Sequence, residues 1–488
     1  MKRFLSLLSS ALLTVVLTAG SCSDNPAGPE SGKEEQPVTP AETAGTPGAN
    51  LRRAITLADA AFGNYFEGSK MSRYYNPYSE KRSSETGSIW MYTSAIEATV
   101  AILEALQLQK EAGESSLYEQ KFAHFSTQLD KLYEGAQFYK GTLTLTSYTQ
   151  TATWHPYAVN RGEGPGTADV SGVLNVYDDQ MWLVRELIGA WKVTGQKRYL
   201  TEAEALTAYV MDGWDSTLDS AGQENGGITW GPGYVTKHAC SNGPMVSPLV
   251  ALAEIYAGKG DTVTYGIVNA DGTRSTETKP KAEAYLEWAV KVYRWQKNHL
   301  LRPDGVYDDM MGGYRSGGGK PEYETVGGQQ YRKNTPLYDR VGPAISYNSG
   351  TMLSGAADLY RVTKDSRYLD DLKALTDKSF SYFAKLGTVK QGLYTYDISG
   401  FNNWFNGVLM RGYAAAYPAC SGAQKPLKSF QDNLDYAWEN YLYKDMLPSS
   451  LLAGWNVDRS RNNVEGMFTF AFAAEYAVLA KHLIENKQ

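Results

Sequence analysis

From Leu51 onward, apolar residues recur at spacings of three and four almost without a break, the period of amphipathic helices rather than of strands. Periodicity and cap signals predict helices near residues 51–66, 89–112, 116–138, 177–194, 198–214, 242–257, 280–298, 346–363, 366–385, 401–417, 427–443 and 463–486. One joint is repeated. Ala190-Trp191-Lys192-Val193-Thr194 ends a helix and Arg198-Tyr199-Leu200 opens the next, and Leu359-Tyr360-Arg361-Val362-Thr363 followed by Arg367-Tyr368-Leu369 does the same. Self-similar helical hairpins bury their apolar faces on one another in solenoids or toroids. The even number of helices fits six hairpins, so the expected fold is all-α, a closed (α/α)6 barrel over 51–488. Closure would leave a central cup, edged by the long segments 140–176, 215–241 and 302–345.

The first 50 residues carry a different signal. Lys2 and Arg3 precede an apolar run from Phe4 to Leu17 and the small residues before Cys22, the pattern of an export signal over residues 1–21 with Cys22 placed for lipidation. The apolar run is shorter than the roughly 20 residues that a bilayer span requires. Residues 22–50, rich in Pro, Gly, Glu, Ala and Thr and without aromatics, read as a flexible tether. The expectation is an exported bacterial lipoprotein of the outer membrane, held by acyl chains only and monomeric.

A net charge of −6 with no long basic run argues against nucleic acid. Five histidines and no Cys/His spacing of the zinc type leave no metal site and no cofactor to expect. Cys240 and Cys420 could pair in an oxidising compartment or remain two buried thiols. The 35 Tyr and 11 Trp are a marked excess, suited to stacking on sugar faces, although most such rings serve packing.

The strongest chemical signal is Val176-Tyr177-Asp178-Asp179-Gln180-Met181-Trp182 at a predicted helix start. The positive end of the helix favours ionised carboxylates, whereas mutual repulsion and burial oppose it, so one of the pair can stay protonated. One ionised and one protonated carboxyl is what glycoside hydrolysis needs. An acidic first turn is also an ordinary helix-start feature, so the dipeptide alone does not decide. A second pair, Asp308-Asp309, lies in a turn-rich stretch with no long helix immediately after it and reads as a polar rim turn that could touch substrate.

The segment Val176–Leu200 resembles glycoside hydrolase family 76, the endo-α-1,6-mannanases and their fungal cell-wall relatives, whose hallmark is Tyr-Asp-Asp followed by Trp. Three further blocks follow in order. Gly226-Gly227-Ile228-Thr229-Trp230 with Lys237-His238-Ala239-Cys240-Ser241-Asn242 resembles the family's second block, Tyr347-Asn348-Ser349-Gly350 its Tyr-Asn-Gln-Gly, and Phe405-Asn406-Gly407 with Arg411 its Phe-Lys-Gly block. The departures are His238 for Asn, Ser349 for Gln and Asn406 for Lys. The resemblance implies a retaining hydrolase of α-1,6-mannan, with Asp178 as nucleophile, Asp179 as acid/base and mannan or manno-oligosaccharide as partner.

Trp154, Tyr177, Trp182, Trp230, Asn242, Tyr347 and Asn348 are the candidate sugar contacts, with Tyr234 and Trp404 as further rim aromatics. Trp90, Trp191, Trp288 and Trp295 fall inside amphipathic helices and read as core. Arg411 could contact ligand or sit in a buried ion pair. Two other classes compete: a non-catalytic glycan-binding lipoprotein, and another barrel enzyme such as a uronyl hydrolase or a sugar epimerase. The first would have no use for paired carboxylates at a helix start. The others call for clustered basic residues or paired His in the cup, which the loops do not clearly supply.

Overall fold

The computed structural model describes residues 43–312 and 319–486. The export signal, Cys22 and most of the tether lie outside the described residues. Twelve α-helices are found there: α1 Pro47–Tyr65, α2 Ile89–Glu111, α3 Ser116–Ala136, α4 Tyr177–Thr194, α5 Lys197–Asp212, α6 Val246–Ile255, α7 Lys281–Leu300, α8 Ser346–Thr363, α9 Ser366–Phe383, α10 Asn402–Ala416, α11 Gln424–Tyr441 and α12 Gly466–Glu485. The first starts four residues ahead of the expected domain boundary, because Thr46 caps it through the Ala49 N–H and Pro47 occupies its first turn.

The even-numbered helices form a closed inner ring in which each packs on the next and α12 returns to α2. Each odd-numbered helix lies outside, α3 on α2, α5 on α4 and so on round to α11, while α1 docks on α12. The first and last helices thus complete the sixth hairpin without a covalent link, and the fold is the (α/α)6 barrel. Inner helices α2 and α12 are apolar on nearly every face and mostly buried, as their position between neighbours demands. Outer helix α11 buries a single stripe of Pro426, Leu427, Phe430, Leu434 and Ala437.

The repeated joint has one geometry in both copies. Thr194 and Thr363 return their hydroxyls to the carbonyls four residues back, Gly195 and Lys364 take the left-handed conformation with φ of 69° and 58°, and the next helix starts two residues later. Short links join the C-terminal ends of α2, α4, α8 and α10 to their outer partners, whereas α6 reaches α7 through the hairpin Thr262–Val268 with Arg274–Pro280. Long segments gather instead where the inner helices begin. There the chain forms short hairpins, Leu143–Thr146 with Thr151–Trp154 and Tyr323–Val326 with Gln329–Arg332, and a three-stranded sheet in which Met310–Met311 lies between Lys237–His238 and Arg340–Val341. That sheet ties two long loops together over the start of α4.

Candidate active site

Val176 enters α4 in an extended conformation and has no side chain able to cap it. The exposed N–H groups find other partners: that of Tyr177 donates to the Trp230 carbonyl at 2.8 Å, and that of Asp179 to Asp178 Oδ1 at 2.9 Å. Asp178 Oδ2 accepts the Trp230 indole N–H at 3.2 Å. Gln180 fastens the preceding loop through both directions of hydrogen bonding with the Tyr157 backbone, each 2.8 Å. The Asp-Asp pair is therefore fixed by its own helix and by the 213–245 loop.

That loop is rigid for identifiable reasons. Gly226 and Gly227 have φ of 66° and 77° and lie under Trp295, where a Cβ on Gly227 would come within 2.3 Å of the ring. Buried Lys237 pairs with Asp215 at 2.8 Å and donates to the Gly226 carbonyl. Asn242, fully buried, accepts from Ile228 N–H and donates to the carbonyls of Ile228 and His238. All its amide contacts hold the loop, which removes Asn242 from the sugar contacts expected for it.

The two carboxyls differ sharply. Burial pushes Asp178 up to about 6, while the Cys240 thiol, the Trp230 indole and the Asp179 N–H pull it back down. Asp179 is only 7% exposed, and burial followed by the charge of Asp178 drives it well above the carboxylate range. At neutral pH one carboxyl is ionised and its neighbour holds a proton. His238, buried and stacked on Trp230 at 4.8 Å, is lowered to about 4 by burial and so stays neutral.

The second pair, expected as a rim turn that could touch substrate, sends its two carboxyls to different surroundings. Val306-Tyr307-Asp308-Asp309 repeats the tetrapeptide Val176–Asp179 exactly in kind, which was the available signal. Asp308 turns away to Arg302 and Arg340, at 3.4 and 3.5 Å. The central strand of the three-stranded sheet brings Asp309 beside Cys240, with its carbonyl accepting from Ala239 N–H. Burial raises Asp309 to about 6; Asn348 opposes this and the charge of Asp178 adds to it. Asn348 is fully buried and its amide faces Asp309 without closing a well-formed hydrogen bond. Tyr347 stacks on Phe405 at 4.4 Å and faces Cys240 and Asp309.

Several aromatics sit elsewhere than expected. Tyr177 is buried against Tyr209, with Gly213 leaving room for its ring, so it packs α4 on α5. Trp154 meets Tyr209 in the same outer cluster. Trp182 and Trp404 are buried edge to face at 4.8 Å, and Trp404 donates to Glu97 at 2.8 Å. Trp90, expected in the core, instead begins α2 and lies partly exposed beside Phe401 and Phe405. Arg411 is an ion-pair partner, 3.1 Å from Glu97 and 3.5 Å from Glu186. Cys240 and Cys420 are separate buried thiols.

An adjacent, differently ionised carboxyl pair at the helix-start mouth of an (α/α)6 barrel is the arrangement of a glycoside hydrolase. The family model of glycosyl hydrolase family 76 matches residues 132–265 and 274–446, and the chain belongs to that family. Among solved structures, the family 76 mannosidase of Bacteroides thetaiotaomicron superposes with a TM-score of 0.65 at 20% identity, covering 90% of this chain and all of that one. The α-1,6-mannanase of Salegentibacter sp. HEL1_6 gives 0.57 at 17% identity over 89% of this chain and 99% of that one. That mannanase has also been solved as an inactive variant, with two adjacent aspartates changed to asparagine, in complex with α-1,6-mannotriose. No curated protein sequence matches the chain significantly.

Proposed function

We propose that this glycoside hydrolase cleaves α-1,6-mannosidic linkages in a mannan backbone with retention of configuration. The observation that carries the reading is the placement of Asp178 and Asp179 on consecutive residues of one helix start, Asp178 accepting from the Asp179 N–H and the Trp230 indole while Asp179 lies buried with no donor to its carboxyl among the described residues. The α-1,6-mannotriose bound by the Salegentibacter relative supports the choice of linkage. An Asp178 oxygen attacks the anomeric carbon, and the glycosidic oxygen departs with the proton of Asp179, leaving a mannosyl ester on Asp178. Asp179, now ionised, takes a proton from water as that water attacks the anomeric carbon, and Asp178 leaves as a carboxylate. Trp230 holds the nucleophile from one side through its indole N–H. Asp309 and Asn348 offer an acceptor and an amide to sugar hydroxyls.

The sequence further supports export, acylation at Cys22 and action as a monomer tethered to the outer membrane by lipid. A Cys22→Ala variant should leave the membrane fraction. The activity is tested by following products from unbranched α-1,6-mannan by NMR: release of α-configured mannose ends supports the reading, and β-configured ends or no release would overturn it.

A further inference from the structure

Arg332 ends the hairpin of Tyr323–Val326 with Gln329–Arg332 and is only 3% exposed, yet no carboxylate pairs with it among the described residues. A buried charge without a counter-ion is costly, so what the guanidinium does instead is informative. It donates to two backbone carbonyls, those of Tyr234 and, at 3.3 Å, Pro232, and it lies over the Tyr148 ring at 5.2 Å. Its own N–H is fixed to the Ser147 carbonyl at 2.8 Å. Arg274 secures the same hairpin by pairing with Glu324 at 2.8 Å while donating to the Tyr148 carbonyl at 3.1 Å. The fork of Arg332 therefore reaches out from a support that is itself tied down.

The two carbonyls belong to Trp230-Gly231-Pro232-Gly233-Tyr234, the turn that carries the indole donor of Asp178. Two of the three residues between the rings are glycines, so the turn has little side chain of its own to anchor it. Tyr234 packs on Trp230 at 4.6 Å, and its N–H closes the turn on the Gly231 carbonyl at 3.0 Å. A planar fork that spans the carbonyls on either side of Gly233 fixes this backbone in a way that a single point donor does not. Asp178 itself faces Asp179 on its own helix, Cys240 and Tyr234 from the 213–245 loop, Asp309 from the three-stranded sheet and Tyr347 from α8. Arg332 makes no hydrogen bond or ion pair with it, so its hold on the carboxyl runs through the turn. We propose that Arg332 is a positioning residue for the reaction: by gripping the Pro232 and Tyr234 carbonyls it holds the Trp230 indole on Asp178. The proposal rests on the assignment of Asp178 as nucleophile.

The test is the titration of Asp178, followed by NMR of the aspartate carboxyl carbons in the isotopically labelled full chain, with the Asp178 signal identified by its loss in Asp178→Asn. The dependence of kcat on pH with unbranched α-1,6-mannan is measured in parallel. Arg332→Met should raise the Asp178 midpoint by ~0.5 unit, because a donor to the ionised carboxylate is lost, and should lower kcat about tenfold. Arg332→Lys keeps the charge but cannot span both carbonyls, so it should raise the midpoint as well. Added to Trp230→Phe, in which the donor is already gone, Arg332→Met should move the midpoint no further. A midpoint unmoved by either substitution, a wild-type midpoint in Arg332→Lys, or a further rise on top of Trp230→Phe overturns the proposal. Arg332→Lys decides alone if Arg332→Met does not fold. The NMR midpoints need no substrate, so failure of the wild-type protein to cleave the mannan would count against the proposed activity while the midpoints still decide the role of Arg332.

Discussion

Replacing Asp178 with Asn should make the protein more stable and nearly inactive at once. The folded Asp178 carboxyl titrates at about 6 against an ordinary 3.8, a displacement of roughly two units at about 1.4 kcal/mol each. Because the folded value is the higher one, stability is fully present below the unfolded pKa and is lost as pH rises through 6, by about 3 kcal/mol. Asn escapes that loss. It offers one oxygen where the carboxylate accepts from both the Asp179 N–H and the Trp230 indole, so about 1 kcal/mol is forfeited. The remaining ~2 kcal/mol corresponds to a rise of ~2 °C for a chain of this size. Calorimetric melts of both proteins from pH 4 to pH 8 should show the variant melting higher at pH 8 and level or slightly lower at pH 4. Turnover on α-1,6-mannan should fall about a thousandfold or more. A variant less stable than wild type at pH 8 would refute the buried-charge reasoning, and wild-type turnover would refute the nucleophile.

Three further outcomes are expected. Trp230→Phe removes a donor that favours the ionised Asp178, so the acid limb of kcat against pH should move upward from near 6. Asp309→Asn should lower kcat/KM at least tenfold and move the same limb downward by removing a neighbouring charge, whereas Asp308→Asn, which loses its Arg302 and Arg340 contacts, should lower melting temperature with the limb unmoved. Lys364→Gly should stabilise by about 1 kcal/mol in urea unfolding, since Gly195 fills the equivalent left-handed position without side-chain strain.

The helices were legible because burial of one stripe imposes a period that local sequence must carry. The expected start of the sixth, at 242, moved to 246, because Ala239–Ser241 and Gly243–Met245 form two 3₁₀ turns while Asn242 spends its amide on the loop. The seven-residue strands Thr262–Val268 and Arg274–Pro280 went unread although Asp271-Gly272 marks their turn. The placement of Asp309 was not readable locally at all. It depends on a strand pairing with segments about 70 residues before it and about 30 residues after it in sequence. Trp90, read as core from its helical period, lies in the first turn of α2 edge to face with Trp404 in the first turn of α10, at 5.3 Å: helical period says which face is apolar, and only position along the barrel axis says which end of that face meets solvent.

The asymmetry of the catalytic pair cannot come from the barrel as a whole. Six inner helices point their N-termini to one mouth, yet a helix end acts mainly within its first turn, and Asp178 and Asp179 share that turn. Whatever the dipole contributes, it contributes to both. What separates them is hydrogen bonding: Asp178 accepts from a backbone N–H and an indole, while the Asp179 side chain accepts none among the described residues and is the more deeply buried. The difference in ionisation between the two carboxyls is therefore set by Trp230, Cys240 and the loop that carries them. The same loop depends on the glycine pair under Trp295 and on Asn242, so the chemistry of α4 rests on residues that touch neither carboxyl.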